Sequence, residues 1–290
     1  MTKVLITGAT GNVGMEVVKS LCLPGHDIEI YAGVRDVKEG KRIFKDDKIN
    51  LIRFDFTDIQ SFEPALKVCD ILFLLRPPQI ADVEKYFKPL IEIAVQSDIR
   101  HIVFLSVQGV ENSRIIPHHK IEKLIVESKI PYTFLRPSYF MQNFTSTLKN
   151  DLVNQKRIFL PAGNARFTLI DVRDIGQVAA IVLAHTSSHT NKAYDLTCNE
   201  KLTFREMAQK LSRGLGIEIK YESPSLLSFY LAKRKEKTPV IFILVMIMLH
   251  YFPRFQKEPG ISNWTETIIG RKAITFDEFV SDYKYKGLLR

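Results

Sequence analysis

Cysteine is scarce in this sequence of 290 residues, with Cys22, Cys69 and Cys198 as the only three. They are odd in number and far apart, and no C-x-x-C pair occurs. This pattern excludes a disulfide framework and gives no support to a zinc site. We therefore expect a reducing, cytoplasmic environment and no bound metal.

Long hydrophobic runs are also missing, and none reaches the roughly 20 residues that a membrane-spanning helix needs. The apolar run from Val240 to Phe252 follows Lys233, Arg234, Lys235 and Lys237. We predict a buried or cleft-covering helix there, with interfacial contact to anionic lipid as the alternative. No signal peptide is expected, because the first predicted strand begins almost at the first residue.

Basic residues are in excess, but they form no basic arm. The sequence has 41 Lys and Arg against 32 Asp and Glu, a net charge of +9 and a pI near 9.3. Such a charge favours anionic ligands. Without a basic-aromatic repeat, however, it supplies only non-specific affinity for nucleic acid, so no nucleic-acid partner is expected. The hydrophobic fraction of 46% is typical of a globular enzyme.

The first half of the sequence alternates short apolar runs with helical patterns, which predicts βαβ units, a parallel sheet and an α/β fold. Six strands in this order favour a Rossmann-like, doubly wound sheet. The predicted strands are Lys3–Thr7, Ile28–Val34, Ile49–Phe54, Ile71–Leu75, His101–Ser106 and Tyr132–Leu135, and the helices are Asn12–Leu23, Val83–Val95 and Pro117–Ser128.

The pattern loosens after Pro137. Capping boxes at Thr203/Glu206 and Thr275/Glu278 each predict the start of a helix. The other predictions are strands Phe167–Ile170, Ala193–Thr197 and Ile217–Tyr221, a helix Ile175–Ala184 capped by Asp174, a helix ending before Gly214 and a last helix Phe276–Tyr283. We expect a Rossmann domain over residues 1–150 and a smaller α/β lid over residues 151–290, partly interleaved with the sheet.

A glycine motif, residues 4–14 (VLITGATGNVG), follows the first strand and opens a helix, as a dinucleotide fingerprint requires. Gly8 permits the tight turn, Gly11 lets the backbone approach a pyrophosphate, and Gly14 lets helix and strand pack closely. The free amides at the helix start would hold the phosphates. The cofactor-binding residues predicted here are Gly8, Thr10, Gly11, Asn12, Val13 and Gly14.

The end of the second strand distinguishes NADPH from NADH. An NAD site has an acidic residue there for the ribose 2′-hydroxyl, whereas this sequence has Arg35, which suits a 2′-phosphate. Asp36 leaves NADH open, since its carboxylate could accept from that hydroxyl. After the third strand, Asp55 and Phe56 are expected beside the adenine, with a turn cap as the alternative role of Asp55.

At this point the sequence resembles the NmrA-like branch of the atypical short-chain dehydrogenase/reductases. The match covers nearly the whole chain and is weakest between Ser225 and Ser262. The matching motifs are TGATGNVG (7–14), VRD (34–36), LRPSYFMQN (135–143), DVRDIG (171–176) and residues 270–279 (GRK…TFDEF). The resemblance implies NAD(P) binding, a cytoplasmic location, and either NAD(P)H-dependent reduction of conjugated acceptors such as quinones and azo dyes or dinucleotide sensing.

The usual Tyr-x-x-x-Lys pair of these dehydrogenases does not follow Ser106, which stands at the serine position. Matching the spacing leaves Arg114 and His118 at the tyrosine and lysine positions. His118 or His119 could donate a proton, or His118 could bind the nicotinamide ribose, although adjacent histidines at a helix start are often merely solvated. Reducing a ketone forms a strongly basic alkoxide, whereas reducing a quinone forms a phenolate-like anion of pKa about 10. Quinone-like acceptors are therefore expected.

Further candidates follow the fourth and sixth predicted strands, because ligands bind at the carboxyl ends of strands in open α/β sheets. Leu74 and Arg76 are predicted to contact the cofactor, with a solvated loop arginine as the alternative. The aromatic side chains near residue 140 suit a flat conjugated ring, with core packing as the alternative. The predicted substrate residues are Arg136, Tyr139, Phe140 and Asn143.

These observations predict an oxidoreductase that transfers hydride from NADP(H), or less favourably NAD(H), to a quinone-like small molecule. The rival prediction is a dinucleotide sensor with little turnover, in which the segment 240–252 docks a protein partner. A sugar-nucleotide epimerase is disfavoured, because epimerisation also uses the missing tyrosine.

Overall fold

The computed structural model describes residues 1–46 and 48–285, and the chain forms two compact units. Unit 1 consists of residues 1–138, 172–196 and 264–271, and unit 2 consists of residues 139–171, 197–263 and those from 272 onward.

Twelve strands lie in the described residues. They are β1 (Thr2–Ile6), β2 (Ile28–Val34), β3 (Ile49–Arg53), β4 (Ile71–Leu75), β5 (His101–Leu105), β6 (Tyr132–Pro137), β7 (Tyr139–Phe140), β8 (Arg157–Phe159), β9 (Arg166–Ile170), β10 (Lys192–Leu196), β11 (Lys201–Thr203) and β12 (Lys220–Glu222).

Thirteen α-helices connect these strands within the described residues. They are α1 (Asn12–Leu21), α2 (Val37–Ile43), α3 (Phe62–Leu66), α4 (Val83–Gln96), α5 (Pro117–Glu127), α6 (Lys149–Gln155), α7 (Val172–Ala184), α8 (Thr186–His189), α9 (Phe204–Leu215), α10 (Leu226–Lys235), α11 (Val240–Tyr251), α12 (Trp264–Ile269) and α13 (Phe276–Tyr285). Short 3₁₀ turns cover Ile59–Ser61, Val110–Asn112, Met141–Thr145 and Phe252–Phe255.

Unit 1 is built on a seven-stranded parallel sheet in the order β10-β6-β5-β4-β1-β2-β3, flanked by helices. This order confirms the predicted Rossmann-like, doubly wound fold. The strand order reverses between β1 and β4, and the carboxyl ends of neighbouring parallel strands meet at one edge of the sheet. In such folds that edge, beside the reversal, is where ligands bind.

The division of the chain differs from the predicted boundary at residue 150. Unit 1 ends its first segment at Ser138 and also includes α7, β10 and α12. Helix α7 packs on α1 because Gly176 has no side chain, and a Cβ there would lie 2.6 Å from the Glu16 carbonyl oxygen. Strand β10 pairs with β6, so the sheet gains a seventh strand that the six predicted ones did not include.

Unit 2 contains two small sheets, β11-β9-β7 and β12-β8. Its core is rich in phenylalanine. The fully buried rings are Phe144, Phe204, Phe229, Phe276 and Phe279, and α9 and α13 carry several of them inward.

Helix ends in unit 2 follow the predicted capping at some positions only. The Thr203/Glu206 capping box is present, and Glu278 accepts from the Thr275 backbone amide at 2.8 Å. Helix α9 continues past Gly214, however, because Gly214 packs against Val280 and Gly216, at φ +72°, is the left-handed residue that ends it.

Two further expectations concern single helices. Asp174 is not the cap of α7 but lies in its first turn, where its carboxylate accepts from Arg271 at 2.7 Å. The apolar segment 240–252 forms α11 and the following turn. Throughout residues 1–46 and 48–285, no helix combines the length and apolar character needed to cross a membrane.

Candidate functional site

The glycine motif forms a close-packed turn between β1 and α1. Gly8 has φ +59°, and a Cβ there would lie 2.2 Å from a Leu75 methyl carbon. A Cβ on Gly14 would lie 2.2 Å from the Gly8 carbonyl oxygen. Because backbone surrounds Gly14, no neighbour can move aside, so only glycine fits this position.

The N-terminus of α1 is left open by this turn. Gly11 occupies the cap position with extended backbone, and no side chain caps the helix. Thr10, Gly11 and Asn12 are exposed, the Val13 side chain is buried, and the Gly11 amide donates to the Gly8 carbonyl at 2.9 Å. Open helical amides and the positive end of the helix dipole suit an anionic group such as a pyrophosphate.

Thr7 was missed in the sequence, although it joins the two strands beside this turn. Its buried hydroxyl donates to the Phe73 carbonyl and accepts from the Leu75 amide, both at 3.0 Å. The hydroxyl thus holds the ends of β1 and β4 together at the point where the strand order reverses. Within the motif ITGATG, nothing distinguishes a threonine in this role from an ordinary strand residue.

Arg35 and Asp36 both follow β2, but only Asp36 forms hydrogen bonds with its side chain to the described residues. The Asp36 carboxylate caps α2 by accepting from the amides of Lys38 at 2.7 Å and Glu39 at 3.3 Å. The Arg35 side chain is exposed and has no hydrogen bond or ion pair to any residue that the structure describes. Asp36 is thus occupied by the backbone, whereas the Arg35 guanidinium is available to a ligand.

Asp55 and Phe56 follow β3, as predicted, but both are engaged. One Asp55 oxygen accepts from the Thr57 amide at 2.9 Å and hydroxyl at 2.8 Å, which is the turn-capping alternative. The Phe56 ring is 5% exposed and packs in an edge arrangement on Phe54. Only the backbone of Phe56 and the second oxygen of Asp55 are left as cofactor contacts.

Arg76 follows β4 and organises the loop after it. Its Nη1 donates to the carbonyls of Pro77, Pro78 and Ile80 at 2.9–3.1 Å. Arg76 is therefore not a solvated loop arginine. Leu74, by contrast, is fully buried in the sheet, so its side chain is part of the core.

His118 accepts a hydrogen bond at Nε2 from the Arg76 guanidinium, over 3.4 Å. Burial, and secondarily the neighbouring Arg76, lowers the pKa of His118 to about 3. The ring is therefore neutral, with its proton on Nδ1. This argues against His118 as a proton donor and leaves the predicted contact to a ribose hydroxyl, which a neutral ring can make.

Two serine hydroxyls follow neighbouring strands of the sheet. Ser106 comes after β5 and is 4% exposed, and Ser138 comes after β6. Neither hydroxyl oxygen has a hydrogen-bond partner in the described parts of the chain. A buried hydroxyl without a partner costs about 1–3 kcal/mol, so both are candidate ligand contacts. Ser106 was predicted as a site residue and Ser138 was not.

His119 and Arg136 lie apart from His118, on a groove of about 470 Å³ lined by residues of α5, β6 and β10. The His119 Nδ1 is 3.3 Å from the Val110 carbonyl oxygen. The Arg136 guanidinium donates twice to the Glu122 carboxylate, at 3.0 and 2.7 Å. This bidentate pair joins α5 to β6 and engages the guanidinium that was predicted to bind substrate.

Unit 2 contains the predicted substrate residues Tyr139, Phe140 and Asn143. The Tyr139 hydroxyl is 3.3 Å from Nε2 of His250, whose Nδ1 lies 2.7 Å from the Met246 carbonyl oxygen. His250 Nδ1 therefore donates, and Tyr139 donates to Nε2. Burial lowers the pKa of His250 to about 4, and it raises the pKa of Tyr139 above its ordinary value.

Aromatic rings surround this hydrogen bond. Tyr139 packs on Phe167 and Phe204 at centroid distances of 5.7 and 5.6 Å, and on His250 at 5.7 Å. Phe140 and Asn143 are half-buried. His250 was not predicted as a site residue, because it is separated from Tyr139 by 111 positions and lies within an apolar run.

Among the described residues, no group of three or more His, Cys, Asp or Glu side chains could hold a metal ion. The polar groups at the carboxyl edge of the unit 1 sheet include backbone amides, the Ser106 and Ser138 hydroxyls, the Arg35 guanidinium and the neutral imidazole of His118. Such a set can bind phosphate and ribose groups by hydrogen bonds and charge.

Comparison with known proteins gives a family and several relatives. The model of the NmrA-like family matches residues 1–234. Prestalk A differentiation protein A of Dictyostelium discoideum is 32% identical over 219 residues, which cover 76% of this chain and 71% of that protein. The NAD(P)H azoreductase of Xenophilus azovorans is 26% identical over 283 residues, covering 95% and 96% of the two chains.

The fold is also that of solved reductases. The NADPH-dependent quinone oxidoreductase QOR2 of Escherichia coli, solved in complex with NADPH, superposes with a TM-score of 0.83 at 22% identity. The superposition covers 97% of this chain and 99% of that one. At this identity the similarity establishes the fold.

Proposed function

Because this chain belongs to the NmrA-like family, we propose that it is an NADPH-dependent oxidoreductase acting on a quinone-like or other conjugated small molecule. When bound, the nicotinamide would supply a hydride. An acceptor quinone would gain that hydride and one proton from solvent, giving the hydroquinone, while NADPH becomes NADP⁺. A cytoplasmic location, predicted from the cysteines, belongs to the same proposal.

The observation that carries this proposal is the glycine turn at the reversal of strand order. Gly8 and Gly14 have no space for a side chain, and α1 has no cap of its own. Because no side chain caps α1, the amides of its first turn have no side-chain acceptor. A dinucleotide pyrophosphate fits these amides.

The proposed preference for NADPH rests on Arg35 and Asp36. The carboxylate that would accept from the 2′-hydroxyl of NADH is occupied by the α2 amides. The free Arg35 guanidinium supplies the charge and paired donors that a 2′-phosphate requires.

The proposed acceptor class follows from the acid–base groups near the sheet edge. The sequence has no Tyr-x-x-x-Lys after Ser106, and His118 is neutral with a pKa of about 3. The residues left there can orient a cofactor but cannot readily protonate an alkoxide of ketone reduction. A phenolate-like product needs no such donor, and the names of the azoreductase and quinone oxidoreductase relatives support the same class.

The test is NADPH oxidation by the purified chain with a panel of quinones, azo dyes and simple ketones. We expect turnover with the conjugated acceptors and none with the ketones. Equal turnover of ketones would contradict the proposed acceptor class. NADPH binding is measured separately, by quenching of intrinsic fluorescence, so that a failure to bind is distinguished from a failure to react.

The second candidate is a dinucleotide sensor with little turnover. It is favoured by the relative of 32% identity, which is named as a differentiation protein and not as an enzyme. Saturable NADPH binding without turnover of any acceptor would replace the first proposal with this one.

A further inference from the structure

Helix α11 has a stripe of exposed apolar side chains along one face. Ile241, Leu244, Met248 and Phe252 are 78%, 54%, 44% and 52% exposed, respectively. Their spacings of three, four and four residues put them in line on a helix, with Phe252 just beyond its end. The opposite face is buried in unit 2, where Ile243, Met246 and His250 contact the core.

This stripe is not explained by the fold. An apolar helix of a globular protein normally buries its apolar surface, and a contiguous exposed apolar patch marks an interaction site. The helix also lies beyond residue 234, where the match to the family model ends.

Basic side chains lie at both ends of the stripe. Between residues 233 and 258 the sequence has six Lys and Arg against two Glu. Those two carboxylates are engaged, Glu236 with the buried Lys233 at 2.9 Å and Glu258 with Lys201 at 3.3 Å. The exposed cations left over are Arg234, Lys235 and Lys237 before the helix and Arg254 and Lys257 after it.

The charge at both ends discriminates between possible occupants of the stripe. If a second copy of this chain covered it, parallel or antiparallel pairing of the two helices would bring basic ends together, and like charges repel. An occupant must instead be apolar in the middle and negative at both ends. An anionic lipid bilayer has this chemistry, with acyl chains beneath a layer of acidic headgroups.

We propose that this apolar–basic surface binds the interface of an anionic lipid bilayer. It comprises the stripe Ile241, Leu244, Met248 and Phe252 together with Arg234, Lys235, Lys237, Arg254 and Lys257. The helix lies along the interface, since its twelve residues are too few to span a bilayer. The stripe enters the acyl boundary and the cations contact the headgroups. The proposal goes beyond the reductase activity and does not depend on it.

The test is co-sedimentation of the purified full chain with vesicles of phosphatidylcholine, with or without phosphatidylglycerol. We expect binding only when phosphatidylglycerol is present, weakening as salt is added. Each cation removed should weaken binding about fivefold, so Lys235→Gln/Lys237→Gln/Lys257→Gln should lose about a hundredfold. Leu244→Gln/Met248→Gln should lose at least tenfold, because the apolar contribution disappears.

Matched control variants change similar side chains elsewhere. Lys67→Gln/Lys85→Gln/Lys88→Gln removes three exposed lysines of unit 1, and Ile115→Gln removes an apolar side chain that is 85% exposed. Both controls should bind vesicles as the unaltered chain does. All variants should keep the NADPH affinity and melting temperature of the unaltered chain, because the altered side chains are exposed. Any loss of vesicle binding is then due to the altered surface and not to unfolding.

Several outcomes would overturn the proposal. These are no sedimentation with anionic vesicles, equal binding to phosphatidylcholine alone, or binding that survives Leu244→Gln/Met248→Gln. A dimer in analytical ultracentrifugation that Leu244→Gln/Met248→Gln dissociates would assign the stripe to a second copy instead. A purified acidic protein that competes for the surface while vesicles do not bind would assign it to a protein partner.

Discussion

Unit 1 and unit 2 both bury polar groups, and the groups at the sheet edge of unit 1 differ from several of those in unit 2 in whether they have a hydrogen-bond partner. In unit 2, Lys233 donates to one oxygen of the Asp151 carboxylate, whose other oxygen has no hydrogen-bond partner in the described residues, and the Tyr139 hydroxyl bonds to His250. At the carboxyl edge of the unit 1 sheet, the Ser106 hydroxyl has no partner in the described part of the chain, and α1 has no side-chain cap. Satisfied groups hold a fold together, whereas open ones lower its stability unless a ligand completes them. We therefore expect the Lys233–Asp151 and Tyr139–His250 pairs to contribute to stability and the Ser106 hydroxyl to contribute to ligand binding.

The largest effect that would sharpen this comparison is expected from Lys233→Met. This change leaves the buried Asp151 carboxylate without its closest cation, so we expect a loss of about 3–5 kcal/mol in the free energy of unfolding. Urea unfolding measures it. The double variant Lys233→Met/Asp151→Leu should regain most of the loss, since no buried charge is left unpaired.

NADPH affinity of the double variant should equal that of the unaltered chain. A large drop in NADPH affinity with full stability would mean that this ion pair serves binding, and the contrast between the units would fail.

The next effect concerns an open group of unit 1. Arg35→Ala should weaken NADPH binding by about 1.5–3 kcal/mol, the contribution of a charge-assisted hydrogen bond, and should leave NADH binding nearly unchanged. Fluorescence titration with both dinucleotides measures the two affinities. Arg100→Ala is the matched control, because Arg100 is exposed and precedes β5, at the opposite edge of the sheet. Equal losses for both dinucleotides would show that Arg35 does not contact the 2′-phosphate.

A smaller effect is expected in the pH dependence of stability. The pKa of His118 is lowered to about 3 in the folded chain, against about 6.5 for an unfolded histidine. Between these values the unfolded state binds a proton that the folded state does not, so stability is lost as pH falls below 6.5. One such group contributes a slope of about 1.36 kcal/mol per pH unit.

The variant His118→Gln should reduce that slope by the contribution of one titrating group, about 1.36 kcal/mol per pH unit. Glutamine can accept the hydrogen bond from Arg76 but does not titrate. Unfolding in urea at pH values from 6.5 to 4.5 measures the slope, and the exposed His185→Gln is the control. An unchanged slope in His118→Gln would show that His118 is protonated in the folded chain, which would restore it as a proton donor.

The smallest expected effect is that of Ser106→Ala on the cofactor-free chain. Because this buried hydroxyl has no partner, its removal should raise the free energy of unfolding, by about 1 kcal/mol once the lost packing is subtracted. Thr7→Val, which removes a hydroxyl with two hydrogen bonds, should cost about 1–3 kcal/mol. If Ser106→Ala also weakens NADPH binding or turnover, the hydroxyl contacts the ligand. Equal destabilisation by Ser106→Ala and Thr7→Val would contradict the distinction between hydroxyls without a partner and hydroxyls with hydrogen bonds.

Much of unit 1 was predictable, because local sequence patterns determine its strands and its glycine turn. The predicted strands Ile28–Val34 and Ile71–Leu75 have the observed bounds, and the glycine turn lies between β1 and α1 as expected. Buried parallel strands are short apolar runs, and a glycine at a crowded turn follows from the turn itself. The bidentate contact of Arg136 with Glu122 could not be foreseen, because the spacing of the two residues reveals nothing about which face each one occupies.

Unit 2 was less predictable because its contacts join distant positions. The hydrogen bond from Tyr139 to His250 spans 111 positions, and no sequence motif indicates that the two residues are in contact. The end of α9 at Gly216 instead of Gly214 depends on Val280, which packs against Gly214 from a helix 66 positions further along the chain. Local capping rules identify a candidate glycine, but tertiary packing decides which glycine adopts the left-handed conformation.

The division of unit 1 into three chain segments has a consequence for synthesis on the ribosome. Strand β6 ends at Pro137, whereas its outer neighbour β10 begins only at Lys192. A nascent chain can therefore form six strands of the sheet and still expose the unpaired amides and carbonyls of β6, a template for pairing with another chain. Until Leu196 has emerged from the ribosome, β6 is an exposed edge of the sheet. In the complete protein β10 covers this edge, and its charged residues Lys192 and Asp195 discourage the pairing of a further strand. Chaperone dependence should accordingly concentrate in this interval of translation.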